Sequence, residues 1–230
     1  MGIKERHERD REAVSRAILD AARELFVAEG FQNVSIRKIA ERIEYSPAAI
    51  YGYFPSKDDI VFALAEEGFR LLGDPVTSQD SQFQHAPPIE RIRAMFWRFY
   101  EFSRDQPQYF ALMFVDRSVP RISREYERFA FTRDLKRYIV EELRASIAAG
   151  ELPATLDPFI AMRALTVSLL GVAVLRLSER LAPGENSDLL AADVLNLTLA
   201  GLSAGIPLQS PQPVDCPMDP SASTPDAQAS

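Results

Sequence analysis

The pattern of apolar and polar positions over residues 35–57 predicts two short helices followed by the start of a longer one. Behind Ser35, a favourable N-cap, apolar side chains recur at helical spacing: Ile36, Ile39, Ala40 and Ile43. This first helix must end before Pro47, because a proline pushes the preceding residue out of the α region. Ser46 and Pro47 begin a second helix, and Pro55 ends it. Two short helices this close together form a helix-turn-helix, whose second helix can enter the major groove of DNA.

The rest of the pattern predicts an all-α chain, because no alternation of period two persists long enough for a strand. About nine helices are expected, at residues 11–30, 35–42, 46–53, 56–72, 87–104, from 107, 121–149, 158–181 and 187–204. Residues 1–10 are charged and expected to fray, and residues 73–86 form a polar loop. We predict a three-helix helix-turn-helix domain in residues 1–55. A connecting helix joins it to a ligand-binding and dimerisation domain within residues 56–206. Residues 207–230, rich in proline and acidic, are expected to be disordered.

The charge balance restricts how such a chain can bind nucleic acid. The net charge of the 230 residues is -7, and residues 1–60 carry 10 basic and 11 acidic side chains. DNA binding therefore requires the basic side chains to gather on one face.

Chemistry other than binding finds little support in the composition. One cysteine and two histidines supply neither a disulfide framework nor a metal site, and no phosphate loop or nucleophile motif occurs. We expect no enzyme activity, metal or cofactor. The N-terminus lacks an apolar signal region, and the longest apolar run, residues 164–175, is shorter than the roughly 20 residues that span a bilayer. A cytoplasmic protein without membrane contact is therefore predicted.

The helix-turn-helix stretch resembles the tetracycline-repressor (TetR) family of bacterial regulators over residues 13–64. The similarity is carried by Ile39-Ala40-Glu41, Ser46, Ile50-Tyr51, Tyr53-Phe54 and Ser56-Lys57-Asp58. This resemblance implies an all-helical homodimer that binds a palindromic double-stranded DNA operator. It also implies release from the operator when a small-molecule effector enters the C-terminal domain.

The predicted recognition helix carries none of the Arg, Lys, Asn or Gln side chains that usually contact bases. Ala48 and Ala49 can touch thymine methyl groups, and the hydroxyl groups of Tyr51 and Tyr53 can reach phosphates. Gly52 lets the backbone approach DNA closely.

Two departures from the family pattern shift part of the expected base readout to other residues and to DNA shape. The turn holds Glu44-Tyr45 where the family usually has glycine and a small residue, and Ala49 stands where threonine is common. We therefore expect the cations of the preceding helix to take a larger share, and the resemblance adds Ser35 and Lys57 as phosphate contacts. The predicted DNA-binding residues are Ser35, Arg37, Lys38, Arg42, Ser46, Pro47, Ala48, Ala49, Tyr51, Gly52, Tyr53 and Lys57.

The C-terminal region offers candidates for a ligand pocket, which the resemblance implies. They are Phe69, Trp97, Tyr100, Phe110, Phe114, Tyr126 and Phe129, with Arg163 as a partner for an anionic group. Aromatic cavities between helices are typical small-molecule sites, and such a lining favours a lipophilic ligand. The alternative for these aromatic residues is ordinary core packing.

The last two predicted helices are the expected dimer interface, because they combine small and branched residues. The predicted interface residues are Leu165, Leu169, Val172, Leu195 and Leu202; the alternative is that they cover the core of the monomer. For the whole chain, the alternative to a ligand-responsive repressor is a helical adaptor that acts through a protein partner without specific DNA binding.

Overall fold

The computed structural model describes residues 3–77, 85–116 and 130–210, and within these ranges every regular element is helical. Nine α-helices occur there: α1 (Ile3–Glu29), α2 (Ile36–Arg42), α3 (Pro47–Tyr51), α4 (Lys57–Thr77), α5 (Pro88–Asp105), α6 (Pro107–Phe110), α7 (Ala130–Ala148), α8 (Pro158–Leu177) and α9 (Ser187–Ser203). A 3₁₀ turn, Phe31–Asn33, follows α1, and a π-helical turn, Ala111–Val115, continues α6. The predicted all-α class is confirmed.

Two helices are longer than the apolar pattern predicted. The first begins at Ile3 rather than at residue 11, so residues 3–10, which were expected to fray, are helical. In this segment the Arg9 side chain bonds the helix backbone, with Nε donating to the carbonyl of Glu5 one turn earlier at 3.4 Å. The helix α4 runs to Thr77, past the predicted end at residue 72. The predicted helix start near residue 121 lies outside the described residues.

The chain divides into two compact units. In the described part of the chain, the first unit holds α1 to α4 as far as residue 76, α5 from residue 99, and α6 with its π turn. The second unit holds the first part of α5, α7 from residue 132, α8 and α9. The predicted domain boundary between residues 55 and 56 lies inside the first unit.

The core of the first unit fixes the orientation of the short helices. Each of its first four helices contributes side chains that are fully buried: Ile18, Ile39, Ile50, Ile60 and Leu64. Burying one such side chain contributes about 2 kcal/mol. Because Ile50 is the only buried residue of the five in α3, the other sides of that helix stay outside the core.

A polar cluster joins α1, α4 and α6 within the first unit. Arg16 Nη1 donates to Glu67 Oε1 at 2.5 Å, and Arg23 Nη1 donates to the Tyr109 hydroxyl at 2.7 Å. Burial raises the pKa of Tyr109 and outweighs the hydrogen bond from Arg23, which lowers it. The hydroxyl is therefore protonated at neutral pH. The helices also approach closely at Gly68, where a Cβ would run into side chains of the α6 segment.

The second unit is built around the contact between α8 and α9. Asp157 Oδ1 caps α8 by accepting from two backbone N–H groups, and Asn186 Oδ1 does the same for α9. The buried stripes of the two helices are Ala161, Leu165, Leu169, Val172 and Ala173 in α8, and Ala191, Leu195, Leu199 and Leu202 in α9.

Candidate nucleic-acid interface

The two short helices begin at serine caps, as the sequence predicted. The Ser35 hydroxyl accepts a hydrogen bond from the backbone N–H of Lys38 at 3.3 Å. The Ser46 hydroxyl accepts from the N–H of Ala49 at 3.2 Å, and Pro47 occupies the first turn of α3. Both serines are exposed, and an accepting hydroxyl can still donate its proton outward. The caps therefore present two O–H donors at the surface beside α3.

The turn between these helices holds a strained residue where the family pattern has glycine. Glu44 has a φ of 58°, in the left-handed region, and the following Tyr45 N–H donates to the carbonyl of Ala40 at 2.9 Å. A non-glycine residue in this region costs roughly 1–2 kcal/mol. The departure noted in the sequence thus has an energetic cost but preserves the turn.

The exposed surface of α3 is largely apolar. We call Tyr45, Pro47, Ala48, Tyr51 and Gly52 the α3 face, because all five are exposed, with Tyr51 53% accessible. The predicted Ala49 and Tyr53 are half-buried beside it. This arrangement can supply methyl contacts and tyrosine hydroxyl groups to DNA, but no bidentate hydrogen bonds to a base.

The three predicted basic residues of α2 are all paired with carboxylates. The pairs are Arg37 with Glu41 (2.8 Å), Lys38 with Glu29, and Arg42 with Glu24 (2.9 Å). The hydrogen bond to Glu41 raises the pKa of Arg37. All three cations are exposed, and exposed ion pairs contribute little to stability. They can therefore exchange a carboxylate for a phosphate at small cost.

Lys57, expected from the resemblance to contact phosphate, points mainly into the protein. Its Nζ donates to the carbonyl of Phe31 at 2.9 Å and to that of Val34 at 3.0 Å. The same nitrogen lies 3.9 Å from the centroid of the Phe31 ring. Lys57 thus fixes the segment between α1 and α2, and one of its three N–H donors is left for an outside acceptor.

Sequence reasoning missed Arg11, which approaches the end of α3 from α1. Its Nη2 donates to the carbonyl of Gly52 at 3.4 Å, and its guanidinium carbon lies 5.5 Å from the centroid of the Tyr53 ring. A signal was present, because Arg11 precedes the buried Ile18 by seven residues and so lies on the same side of α1. The predicted start of α1 at residue 11 concealed this.

The aromatic ligand-pocket candidates of the first unit pack against one another. Phe69 and Phe114 meet edge to face at 5.7 Å between ring centroids, and Phe110 lies 5.0 Å from Phe114. Phe99, which was not among the predicted ligand residues, lies 5.3 Å from both Phe110 and Phe114, measured between ring centroids. These four side chains form what we call the phenylalanine cluster, in which Phe69 and Phe114 keep some exposed surface. Tyr100 is fully buried.

The other ligand candidates lie elsewhere. Trp97 and Arg163 belong to the second unit, and Arg163 is exposed on α8. Tyr126 and Phe129 lie outside the described residues. A pocket formed by all eight residues stays a prediction.

The predicted dimer-interface residues lie on the sides of their helices that are buried within one subunit, and their contact with a partner stays a prediction. Leu165, Leu169, Val172, Leu195 and Leu202 are at most 4% exposed within one subunit, so they have little surface left to bury against a partner. The opposite sides of the same helices expose aliphatic residues, among them Val167 (56%) and Leu197 (72%). We call Val167, Leu175, Leu189 and Leu197 the exposed α8/α9 face. Both sides of these helices are apolar, so the sequence pattern could not distinguish them.

One helix in the described part of the chain, α8, is long and apolar enough by length and composition to cross a membrane. Among the same residues, no group of three or more His, Cys, Asp or Glu side chains is placed to hold a metal ion.

Comparisons with known proteins match both parts of this architecture. Residues 18–64 match the family described as "Bacterial regulatory proteins, tetR family", and residues 92–197 match the "Tetracyclin repressor-like, C-terminal domain". The chain is 30% identical over 82 residues to the HTH-type transcriptional regulator HbdR of Aromatoleum sp. (strain CIB), covering 36% of this chain and 35% of that protein. It is 40% identical over 52 residues to the HTH-type transcriptional repressor Rv1474c of Mycobacterium tuberculosis, covering 23% and 28%. The aligned segments thus span about a third of these relatives.

The likeness of fold extends over most of the chain. The structure of the fatty acid degradation regulator FadR from Bacillus halodurans superposes with a TM-score of 0.68 at 18% identity, covering 82% of this chain and 95% of that one. At this identity the likeness concerns the fold. The two matched regions, residues 18–64 and 92–197, show that the chain belongs to the tetR family of bacterial regulatory proteins.

Proposed function

We propose that this protein is a DNA-binding transcriptional repressor that acts as a homodimer on a palindromic operator. The observation that carries the proposal is the exposed α3 face, held by the Ser46 cap on a helix-turn-helix. A capped second helix whose outer side is free of the core is the geometry that enters a major groove. The family of the chain supports the same function.

Affinity would come mainly from phosphate contacts around α3. The exposed hydroxyl groups of Ser35, Ser46 and Tyr51 can each donate to a phosphate oxygen, as can the remaining N–H of Lys57. The three basic residues of α2 would replace their carboxylate partners by phosphates. Such contacts release counterions, so binding should weaken steeply as salt rises.

Base recognition would rely on apolar contact and DNA shape. Ala48 is exposed on the α3 face, where its methyl group can meet the methyl group of a thymine. The neighbouring Ala49 is half-buried and offers less surface. Because no side chain of the α3 face can form a bidentate hydrogen bond with a base, part of the specificity would come from groove width and flexibility.

The exposed α8/α9 face is the proposed dimer interface. Its aliphatic side chains are 38–72% exposed within the subunit, and a second copy supplies an identical apolar surface across a two-fold axis. A two-fold dimer presents two recognition helices, which suits a palindromic operator. We place the protein in the cytoplasm, where its operator is, and assign the apolar α8 to this interface rather than to a bilayer.

A small lipophilic effector would act through the first unit. The phenylalanine cluster is aromatic and uncharged, and two of its rings keep exposed surface that an apolar ligand can cover. Binding there would favour a conformation with lower DNA affinity and so release the operator. A thermal-shift screen of lipophilic metabolites should find compounds that raise the melting temperature and displace bound DNA. A binder that leaves DNA affinity unchanged would contradict this mechanism.

The decisive experiment is a salt titration of DNA binding by the purified dimer. The probe is a labelled duplex from the region upstream of the protein's own coding sequence, compared with a random duplex of equal length. We expect tighter binding to the upstream duplex and a linear fall of log affinity with log salt. Tyr51→Ala should weaken binding, whereas Tyr138→Ala, a tyrosine of α7 in the second unit, should not.

The competing function is a helical adaptor that uses the α3 face for a protein partner. The scarcity of unpaired cations beside that face is the observation in its favour. Absence of binding to any duplex even at low salt, by a folded dimer, would select this alternative.

A further inference from the structure

The end of the recognition helix lacks a positive charge of its own. No Lys or Arg occurs between Arg42 and Lys57, and the cation at each end of that interval has protein partners. DNA phosphates lie on both sides of the major groove. A recognition helix therefore benefits from a phosphate donor at its C-terminal end as well as at its N-terminal end, where the serine cap lies. This end of α3 is where Gly52 is exposed and Tyr53 is half-buried.

Arg11 brings a cation to this place from α1. Its guanidinium hydrogen-bonds the carbonyl of Gly52, the residue that directly follows α3, and lies over the ring of Tyr53. The side chain is exposed, and no carboxylate in the described ranges pairs with it. A guanidinium has five N–H donors, and the observed hydrogen bond uses one of them.

Resting on the proposed function, we propose that Arg11 positions the end of α3 and Tyr53 and donates a second hydrogen bond to a DNA backbone phosphate beside them. The two roles are compatible because the guanidinium has several donors: one holds the Gly52 carbonyl while the guanidinium carbon lies 5.5 Å from the Tyr53 ring centroid, and other N–H groups are left to donate to a phosphate. A lysine could supply the charge but neither the stacking nor the fork of donors.

The test compares Arg11→Ala and Arg11→Lys with the matched control Arg9→Ala. Arg9 lies on the opposite side of α1, where it donates to the carbonyl of Glu5. Because both residues are arginines, Arg9→Ala changes the net charge by the same amount as Arg11→Ala. Affinities are measured by fluorescence anisotropy over a range of salt concentrations. The probes are the upstream duplex and poly(dI-dC), and the melting temperature of each variant serves as the check on folding.

We expect Arg11→Ala to weaken binding to both probes about tenfold at roughly 0.1 M salt. The slope of log affinity against log salt concentration should become less steep by about one. Arg11→Lys should keep the salt dependence of the unmodified protein but lose about threefold in affinity, because it cannot stack on Tyr53. Arg9→Ala should stay within about twofold of the unmodified protein.

The outcomes separate this inference from the proposed function. If the unmodified protein binds DNA and Arg11→Ala matches Arg9→Ala, Arg11 has no role at the site and the inference alone is overturned. Lost affinity with an unchanged salt dependence would overturn the phosphate contact. If Arg11→Ala does not fold, Arg11→Lys decides: an affinity equal to that of the unmodified protein would overturn the positioning role. Failure of the unmodified protein to bind any duplex overturns both proposals.

Discussion

The helix-turn-helix and the α8/α9 pair both expose apolar side chains, but in different settings. On the α3 face, Tyr45 and Tyr51 stand among serine hydroxyl groups and ion-paired cations. On the exposed α8/α9 face, Val167 and Leu197 are aliphatic and lie on helices that are apolar nearly all round. The first surface offers methyl groups beside hydrogen-bond donors, which suits the mixed surface of a DNA groove. The second is mainly aliphatic, with Arg163 and Asp193 one turn before Val167 and Leu197, and it suits another copy of itself.

The difference also concerns how the two regions are specified. The short helices α2 and α3 contain too few residues for a strong periodic pattern, and their ends are set by caps and by Pro47. The long helices α8 and α9 have clear ends too, but their composition leaves open which side faces inward. Local chemistry thus determines where an element lies, while long-range packing determines which of two similar faces is buried.

The largest effect is expected at the exposed α8/α9 face. Leu197→Glu places a charge from each subunit in the proposed interface, where burial without a partner costs several kcal/mol. We expect dimer association to weaken by more than about 3 kcal/mol, or over about 100-fold, as measured by sedimentation equilibrium. DNA affinity should fall with it, because a monomer contacts half of a palindrome.

Leu195→Ala is the control, since this residue lies on the same helix and is 2% exposed. It should lower the free energy of unfolding by about 2–5 kcal/mol and leave a dimer in the folded fraction. The opposite result, a stable monomer from Leu195→Ala and an intact dimer from Leu197→Glu, would restore the interface predicted from the sequence.

The sequence predicted the parts of the fold that rest on local signals. Ser35, Ser46 and Asp157 each accept backbone hydrogen bonds at predicted helix starts, and Ser56, at the predicted start of α4, accepts from the Asp59 N–H at 3.2 Å. In each of these caps the acceptor and the donor are at most three residues apart along the chain, so the cap can be recognised without a structure.

The features that the sequence did not indicate depend on contacts between distant segments. Arg11 meets Gly52 across 41 residues, and Lys57 turns to carbonyls 23 and 26 residues before it. No pattern along the chain indicates that a surface lysine will bind its own backbone. The predicted phosphate contact of Lys57 came from resemblance, and the resemblance contained no information on this competing role.

At the Ser46 cap, two substitutions distinguish folding from DNA binding. Ser46→Ala removes the acceptor for the Ala49 N–H. We expect the free energy of unfolding, measured in urea, to fall by about 1 kcal/mol. Ser46→Asp keeps an acceptor and should be as stable as the unmodified protein, but its carboxylate would repel phosphates and lower DNA affinity more than about tenfold. Equal DNA affinity of the aspartate variant would place this cap outside the interface.

The strained turn permits a gain in stability. Glu44→Gly should raise the free energy of unfolding by about 1 kcal/mol, because glycine adopts a φ of 58° without a Cβ penalty. Glu44→Ala removes the same carboxylate but keeps the Cβ, so it should give no such gain. If both variants gain equally, the effect comes from charge, and the backbone at this turn is not strained.

The smallest predicted effect tests how the α3 face reads bases. Uracil in place of thymine removes one methyl group and leaves the hydrogen-bonding edge and the backbone of the duplex unchanged. For each thymine methyl that meets Ala48, about 0.8 kcal/mol of apolar burial is lost, so affinity should fall by up to about fourfold. Ala48→Gly should bind more weakly to thymine duplexes and respond less to uracil, since the partner of the methyl is already gone. If Ala48→Gly still loses the full, roughly fourfold, affinity on uracil substitution, the thymine methyl contact belongs to Tyr45 or Tyr51. These are the large exposed side chains of the α3 face.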